Sequence, residues 1–415
     1  MMTSSSPPSG LPLPDPDSLG HSNDVARHLA AAIDATPDGF LPFEQWMHLA
    51  LYAPGLGYYA AGSAKFGGDL PTGDFTTAPE LTPLFGQTLT QQVAQILGIA
   101  GSVQVLEFGA GSGALASAVI PALRRLGIEP EYQILEVSAD LRQRQQARLA
   151  PLQANVVWLD SLPQAFRGCV LANEVLDAMP ATLFRWDEDG SLAELGVRLC
   201  PATEQASDQA MPRGFKLAGR PASNALRAAV SARMPALPGY CSEINLQAEA
   251  WINQMGNWLE RGAALLIDYG FPQREYYHPQ RAEGTLMCHF RHHTHTQPLI
   301  YPGLQDITTH VDFTAMADAA LAAGLGVYGY TSQARFLMNA GLPALLAHQG
   351  QPESQHSPAA HAAPIAAAAH ASMLSAINKL TAESEMGELF KVLAIGRGLD
   401  QPLQGFMRGD RRDRL

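Results

Sequence analysis

The stretch VLEFGAGSGALA, residues 105 to 116, sets Gly109, Gly111 and Gly113 between an apolar run and a helix-forming run of small residues. Glycines at alternate positions let a backbone approach a ligand closely, and a helix start behind them presents free N–H groups. The spacing Gly109-x-Gly111-x-x-Ala114 meets the dinucleotide fingerprint. A tight strand-to-helix turn without a ligand would need the same glycines, so the motif alone does not choose a cofactor.

Acids around the loop narrow the choice. Glu107 precedes the first glycine by two residues, where a carboxylate would repel a pyrophosphate but could hold a cationic amino group. Glu136 closes the next apolar run, EYQILEVS, where an acid commonly takes ribose hydroxyls. Asp160 closes a third, NVVWLD, beside the expected adenine position. Each alone could be a helix cap or a solvated loop residue. In register behind a glycine loop, the three fit S-adenosylmethionine (SAM), which has an amino acid moiety, a ribose and an adenine but no phosphate. A nicotinamide oxidoreductase fits less well, because of Glu107 and because no Tyr-x-x-x-Lys set stands in a suitable place.

LANEVLDAMP supplies groups for the transfer itself. Asn173 and Glu174 stand at the carboxyl end of a fourth strand, and Asp177 follows one turn later. Methyl transfer is an in-line displacement in which alignment supplies most of the rate. With an arginine nitrogen as nucleophile, carboxylates would grip the guanidinium bidentately and leave one nitrogen free to attack. Helix capping or a structural ion pair is the competing reading of Glu174 and Asp177. Glu243, in YCSEINLQAEAWI, is either a further guanidinium-facing acid or an acid at a helix N-terminus. GDFTTAPE carries Asp74, Thr76, Thr77 and Glu80 ahead of a helix, as a lid over the site or as an ordinary N-cap. Asp268 and Tyr269 end a fifth strand at the same rim and would support it from behind. HFRHHTHTQ, with His289, His292, His293 and His295, invites zinc. No acidic or cysteine partner stands at convincing spacing and methyl transfer needs no metal, so no metal is expected, and the segment reads as a basic loop at the substrate mouth.

These residues need a scaffold. From 103 to 180 short apolar strands alternate with helical segments, the rhythm of a parallel sheet wound with helices. It resumes at GAALLIDYG, 262 to 270. The chain divides into a disordered leader rich in Pro and Ser (1–23), an N-terminal helical and lid region (24–100), a core (101–180 and 259–338), an insertion with a hairpin turning at Asp189-Gly190 (181–258), an Ala-rich helical insertion (339–385), a closing strand (386–400) and a tail (401–415). VYGYTSQARFL and FKVLAIGRG form a final strand pair.

Composition sets the outer limits. A net charge of -12 argues against nonspecific nucleic-acid binding, which needs clustered Lys and Arg. The four cysteines lie far apart with no CxxC pair, which argues against a zinc ribbon or a disulfide framework. No apolar run approaches a membrane span and the N-terminus lacks a targeting pattern, so a cytoplasmic location is expected.

YAPGLGYYA, GDFTTAPELTPLFGQ, LEFGAGSGALA, LANEVLDAMP, LLIDYG and QDITTHVDF, in that order, together resemble the SAM-dependent methyltransferase family of the mitochondrial complex I assembly factor MidA and its bacterial relatives. The resemblance runs from about Asp24 to Gly398. It implies a seven-stranded Rossmann-like class I methyltransferase sheet closed by an antiparallel strand. It also implies SAM as cofactor, a site-lining role for GDFTTAPE, and a protein substrate methylated on arginine, a complex I subunit in the eukaryotic member. The alternative is a methyltransferase fold kept as a noncatalytic assembly protein.

Overall fold

The computed structural model describes residues 8–61, 77–201, 214–349 and 363–415. Its centre is an eight-stranded sheet. Seven strands carry it, labelled in chain order: β1 Gln104–Phe108, β2 Glu131–Leu135, β3 Val156–Leu159, β4 Phe166–Asn173, β5 Leu259–Phe271, β6 Gly326–Ser332 and β7 Phe390–Arg397. They lie in the order β6-β7-β5-β4-β1-β2-β3, and the short pair Val311–Asp312 extends the edge of β5. Strands β1 to β5 run parallel, and β7 is antiparallel to both β5 and β6.

The central strands read as continuous apolar runs because helices cover both faces of a parallel sheet. Val105, Leu171 and Leu265 belong to one core, and their neighbours Leu106, Val170 and Leu266 to the core on the opposite face. The crossover helices Ala114–Arg125 and Ala139–Leu149 return the chain between parallel strands, so the carboxyl ends of β1, β2, β4 and β5 gather on one rim.

A second sheet of five strands stands beside the first, built from Leu41–Pro42, Thr182–Trp186, Leu192–Leu199, Phe215–Pro221 and Cys241–Ile244. The helices Pro16–Asp34 and Phe43–Tyr52 bury Val25, Leu29, Trp46 and Met47 with Leu183, Leu195 and Val197 of this sheet, and with Cys288 and Ile307 of a three-stranded sheet. These two N-terminal helices and the second sheet thus share one core, because neither amphipathic helix has enough apolar surface to fold alone, whereas the helices Pro83–Ala100 and Leu246–Trp258 pack on the central sheet.

Three boundaries differ from expectation. Order begins well before Asp24, since the first helix starts at Pro16 with the Asp15 carboxylate accepting from the Ser18 N–H. Asp15-Pro16 is a cap followed by a proline at N1, a helix-start pattern that a Pro-rich context disguises. VYGYTSQARFL is strand only to Ser332, and Gln333–Asn339 is helix. Residues 401–415 are packed, with Leu403 and Phe406 buried and the Gly405 N–H bonded to Gln92 Oε1 at 2.8 Å. Within the Ala-rich region, Leu342–Gln349 and Ala363–Thr381 are helical; the flexible stretch expected between them falls mostly outside the described residues.

Candidate active site

The glycine loop leaves β1 with three residues in the left-handed region, Gly109, Gly111 and Gly113, at φ of 58°, 53° and 80°. At Gly111 a Cβ would meet no atom of the described residues within 4 Å, its chain neighbours aside. The loop therefore opens a space on that side, and only glycine reaches this backbone without strain. Gln145, fully buried on the helix Ala139–Leu149, fixes the loop: its Nε2 donates to the Gly111 carbonyl at 2.9 Å and to Glu136 Oε2 at 3.0 Å. Its Oε1 accepts from Trp158 Nε1 at 2.9 Å. Sequence reasoning missed Gln145, which stands among three similar glutamines with nothing local to mark it.

Glu136 ends β2 buried, and its other oxygen accepts from the Ser138 N–H at 2.9 Å. Burial raises its pKa, and each oxygen keeps acceptor capacity for a further donor. Glu107 points into the sheet, where Oε2 accepts from the Tyr132 hydroxyl at 2.6 Å and burial pushes the carboxyl up to about 7. Asp160 stands apart from both. Its side chain is 86 % exposed and pairs with Arg142 at 2.9 Å, a surface contact of small energetic weight.

At the end of β4 the chain turns sharply. Glu174 has φ 53°, a left-handed conformation for a residue with a Cβ, and its N–H donates to the Ile267 carbonyl of β5 at 2.9 Å. Backbone strain of about 1–2 kcal/mol survives where the surroundings impose it, and it clusters at functional sites. The Glu174 carboxylate accepts from Asn173 Nδ2 at 2.9 Å. Asp177 Oδ2 accepts from the Tyr269 hydroxyl at 2.5 Å. Asp268 Oδ2 accepts from the N–H groups of Leu176 and Asp177 at 3.0 and 3.2 Å. Asp268 thus shapes the turn that presents the other two acids.

Asp177 and Asp268 are buried and Glu174 beside them is half-buried, and none of the three has an Arg or Lys ion pair among the described residues. Burial, with Asp177 and Asp306 adding like charge, pushes Glu174 up to about 8. Burial also raises Asp177, against the Tyr269 hydrogen bond, and raises Asp268 further with help from the charges of Asp177 and Glu174. Among the described residues, Asn173 Oδ1 and Asp177 Oδ1 are buried acceptors with no hydrogen-bond donor. Leaving such atoms unmatched costs about 1–3 kcal/mol each.

Residues from the N-terminal unit complete the surroundings. The Tyr52 hydroxyl donates to the Ala178 carbonyl at 3.0 Å, and its ring stacks on Tyr59 at 5.4 Å. The Tyr59 hydroxyl donates to both oxygens of Asp306 at 2.9 Å. The tyrosine-dense YAPGLGYYA was the only signal for these rings.

Of the remaining candidates, Glu80 joins the glycine loop through Ser112, and Thr77 precedes the short helix Ala78–Leu81 without a side-chain cap bond. Asp74 and Thr76 lie outside the described residues. Glu243 is in a strand of the second sheet, not at a helix N-terminus. Its Oε1 accepts from the Tyr276 hydroxyl and the Thr285 N–H at 2.9 Å, so its bonds are made away from Glu174. His289 and His295 sit on neighbouring strands, and among the described residues no three His, Cys, Asp or Glu side chains converge as a metal site.

A carboxyl that stays protonated to high pH makes its own prediction. Glu174 would ionise near 4.5 in the unfolded chain but near 8 when folded, so folding stability falls as pH rises through that window. Glu174→Gln removes this loss. The variant should match the parent near pH 4 and exceed it above pH 8 by on the order of 3 kcal/mol, read from urea unfolding across pH. A difference that does not change with pH would place Glu174 in water.

A glycine cradle at the head of a parallel sheet, with an acid at the end of β2 and an antiparallel β7, defines an α/β methyltransferase. Comparison with known proteins agrees. The model of a family of S-adenosyl-L-methionine-dependent methyltransferases matches residues 86–331. A Burkholderia thailandensis protein whose crystal structure holds S-adenosyl-homocysteine is 45% identical, with a TM-score of 0.85 over 98% of this chain and 100% of that one. A Drosophila melanogaster protein named as the mitochondrial protein arginine methyltransferase NDUFAF7 homolog is 28% identical over 92% of this chain and 86% of its own. The Homo sapiens NDUFAF7 protein is 27% identical over 77% and 73%. The chain belongs to this S-adenosyl-L-methionine-dependent methyltransferase family, and SAM is its cofactor. The open side of Gly111 and the orphan acceptor on Asn173 fit such a group. Among the described residues no helix is long and apolar enough to cross a membrane.

Proposed function

We propose that the protein transfers a methyl group from SAM to an arginine side chain of a protein, in the cytoplasm. The family resemblance points to a subunit of respiratory complex I as the substrate. The observation that carries this reading is the group of Glu174, half-buried, with the buried Asp177 and Asp268, which among the described residues has no basic partner. Three carboxyl groups brought together repel one another, and a planar cation relieves that repulsion. A guanidinium is such a cation, always charged and able to bond two carboxylates in a fork. The names borne by the Drosophila and human relatives support the same substrate class.

In this reading Gly109, Gly111 and Gly113 cradle the cofactor, Glu136 holds its ribose, and Glu107, bonded to the Tyr132 hydroxyl, lies beneath the loop. Asp160 and Glu243 have no part. When bound, SAM supplies an electrophilic methyl group on its sulfonium sulphur. Glu174 and Asp177 grip two nitrogens of the arginine, confine the positive charge to them, and leave the third with its lone pair directed at the methyl group. Asn173 Oδ1 and Asp177 Oδ1, both without donors among the described residues, take the N–H groups that enter with the substrate. Glu174 accepts the proton that the attacking nitrogen gives up, a task suited to a carboxylate whose basicity burial has raised. The test is whether methyl label from SAM enters arginine in protein.

A further inference from the structure

The turn 176–179 carries Asp177 and is neither helix nor strand. Its four successive carbonyls nevertheless all accept from residues brought in from elsewhere in the chain. Asn245 Nδ2 donates to the carbonyl of Met179 at 2.9 Å and to that of Leu176 at 3.4 Å. The Tyr52 hydroxyl donates to the Ala178 carbonyl at 3.0 Å, and the Thr309 N–H to the Asp177 carbonyl at 3.0 Å. On the amide side, the N–H groups of Leu176 and Asp177 rest on Asp268. Buried backbone must find partners, and this turn finds them outside itself. Asn245 stands between the strand Cys241–Ile244 and the helix Leu246–Trp258 and does two things at once. Its Oδ1 caps the helix, accepting from the Ala248 N–H at 2.9 Å, while its Nδ2 reaches back to the turn. Leu176 and Met179 also pack on the core behind the turn. Apolar contact has no direction, however, and does not decide where a carbonyl or a carboxylate points. Hydrogen bonds do.

We propose that Asn245 and Tyr52 are positioning residues that clamp the turn 176–179 from outside the central sheet and so hold Asp177 on the Tyr269 hydroxyl, with its other oxygen toward the substrate. The catalytic part of the proposal rests on the reading of Asp177 given above. Asp177 is pinned at three points: its side chain by Tyr269 at 2.5 Å, its N–H by Asp268, and its carbonyl by Thr309. Asn245 and Tyr52 fix the carbonyls on either side of it, so losing one of them lets the peptide planes that flank Asp177 rotate. Glu174 is fixed separately, through its N–H on the Ile267 carbonyl of β5. The clamp therefore bears on Asp177 more than on Glu174.

The experiment reads amide hydrogen exchange by mass spectrometry in peptides covering 174–180 and 246–258, in the parent, Asn245→Ser and Tyr52→Phe. Serine caps a helix about as well as asparagine but has no amide donor. Phenylalanine keeps the ring on Tyr59 and loses the hydroxyl. Both variants should exchange the amides of 174–180 about tenfold faster, the weight of one hydrogen bond, with 246–258 unchanged. Unchanged exchange in 174–180, or a change in 246–258 alone, would overturn the clamp. Transfer rates are then measured for the same variants, alone and combined with Asp177→Asn. Each single variant should lose about tenfold in kcat with SAM affinity unchanged, and the loss should nearly vanish where Asp177 is already asparagine. A loss of equal size in both backgrounds would mean that Asn245 and Tyr52 do not act through Asp177. Faster exchange in 174–180 together with full transfer by Asp177→Asn would keep the clamp while removing Asp177 from the chemistry.

Discussion

Glu174→Gln is expected to slow methyl transfer at least a hundredfold while SAM affinity stays within about tenfold. The first figure corresponds to roughly 2.7 kcal/mol of transition-state stabilisation and the second to no more than about 1.4 kcal/mol. Glutamine keeps the shape of the side chain and can still accept from the Asn173 amide. It cannot supply negative charge to a guanidinium or take its proton. The loss should therefore fall on kcat and kcat/KM together, the mark of an interaction made in the transition state. Asp177→Asn should show the same split more weakly, because Asp177 is already committed to the Tyr269 hydroxyl through one oxygen. SAM titration and transfer assays on the same preparations separate the outcomes. Equal losses of affinity and rate would move Glu174 into the cofactor site. Unchanged rates would leave the acid cluster without a catalytic part.

Gly111→Val should abolish SAM binding and leave a folded protein. At φ 53° a β-branched residue is strained by about 1–2 kcal/mol, a cost the two large cores can absorb. The decisive effect is steric. Among the described residues, chain neighbours aside, no atom lies within 4 Å of the Cβ position, so the valine side chain would project into the space that the proposed cofactor cradle leaves open. Calorimetry should show at least a hundredfold loss of SAM affinity, with far-UV circular dichroism unchanged. Normal binding by the valine variant would mean that the glycine loop is only a turn.

How legible the site is in the sequence depends on how far its parts travel. The glycine loop, Glu136, Glu174 and Asp177 could all be found because each stands at the end of a strand whose apolar run marks it. Tyr52, Tyr59 and Asp306 could not. They meet only because the N-terminal helices and the three-stranded sheet share one core, and no local pattern records such a contact. Gln145 was hidden for a different reason, since only its depth in the fold separates it from its neighbouring glutamines. Glu243 shows how local reasoning goes wrong. The helix it was assigned to begins at Leu246 under an Asn245 cap, and its true partners lie 33 and 42 residues further on. Asp160 matches its expected strand end, but the neighbouring helix offers Arg142, and the pair turns to solvent.

The central claim is that the acid cluster receives an arginine of a protein. It is tested most directly by incubating this protein with methyl-labelled SAM and an extract of cells that lack it, hydrolysing the labelled protein in acid, and separating the amino acids. The label should run as methylarginine, and Glu174→Gln should leave it near background. Label in methyllysine, label released by mild base as methanol from a carboxyl ester, or label confined to small molecules would contradict the account.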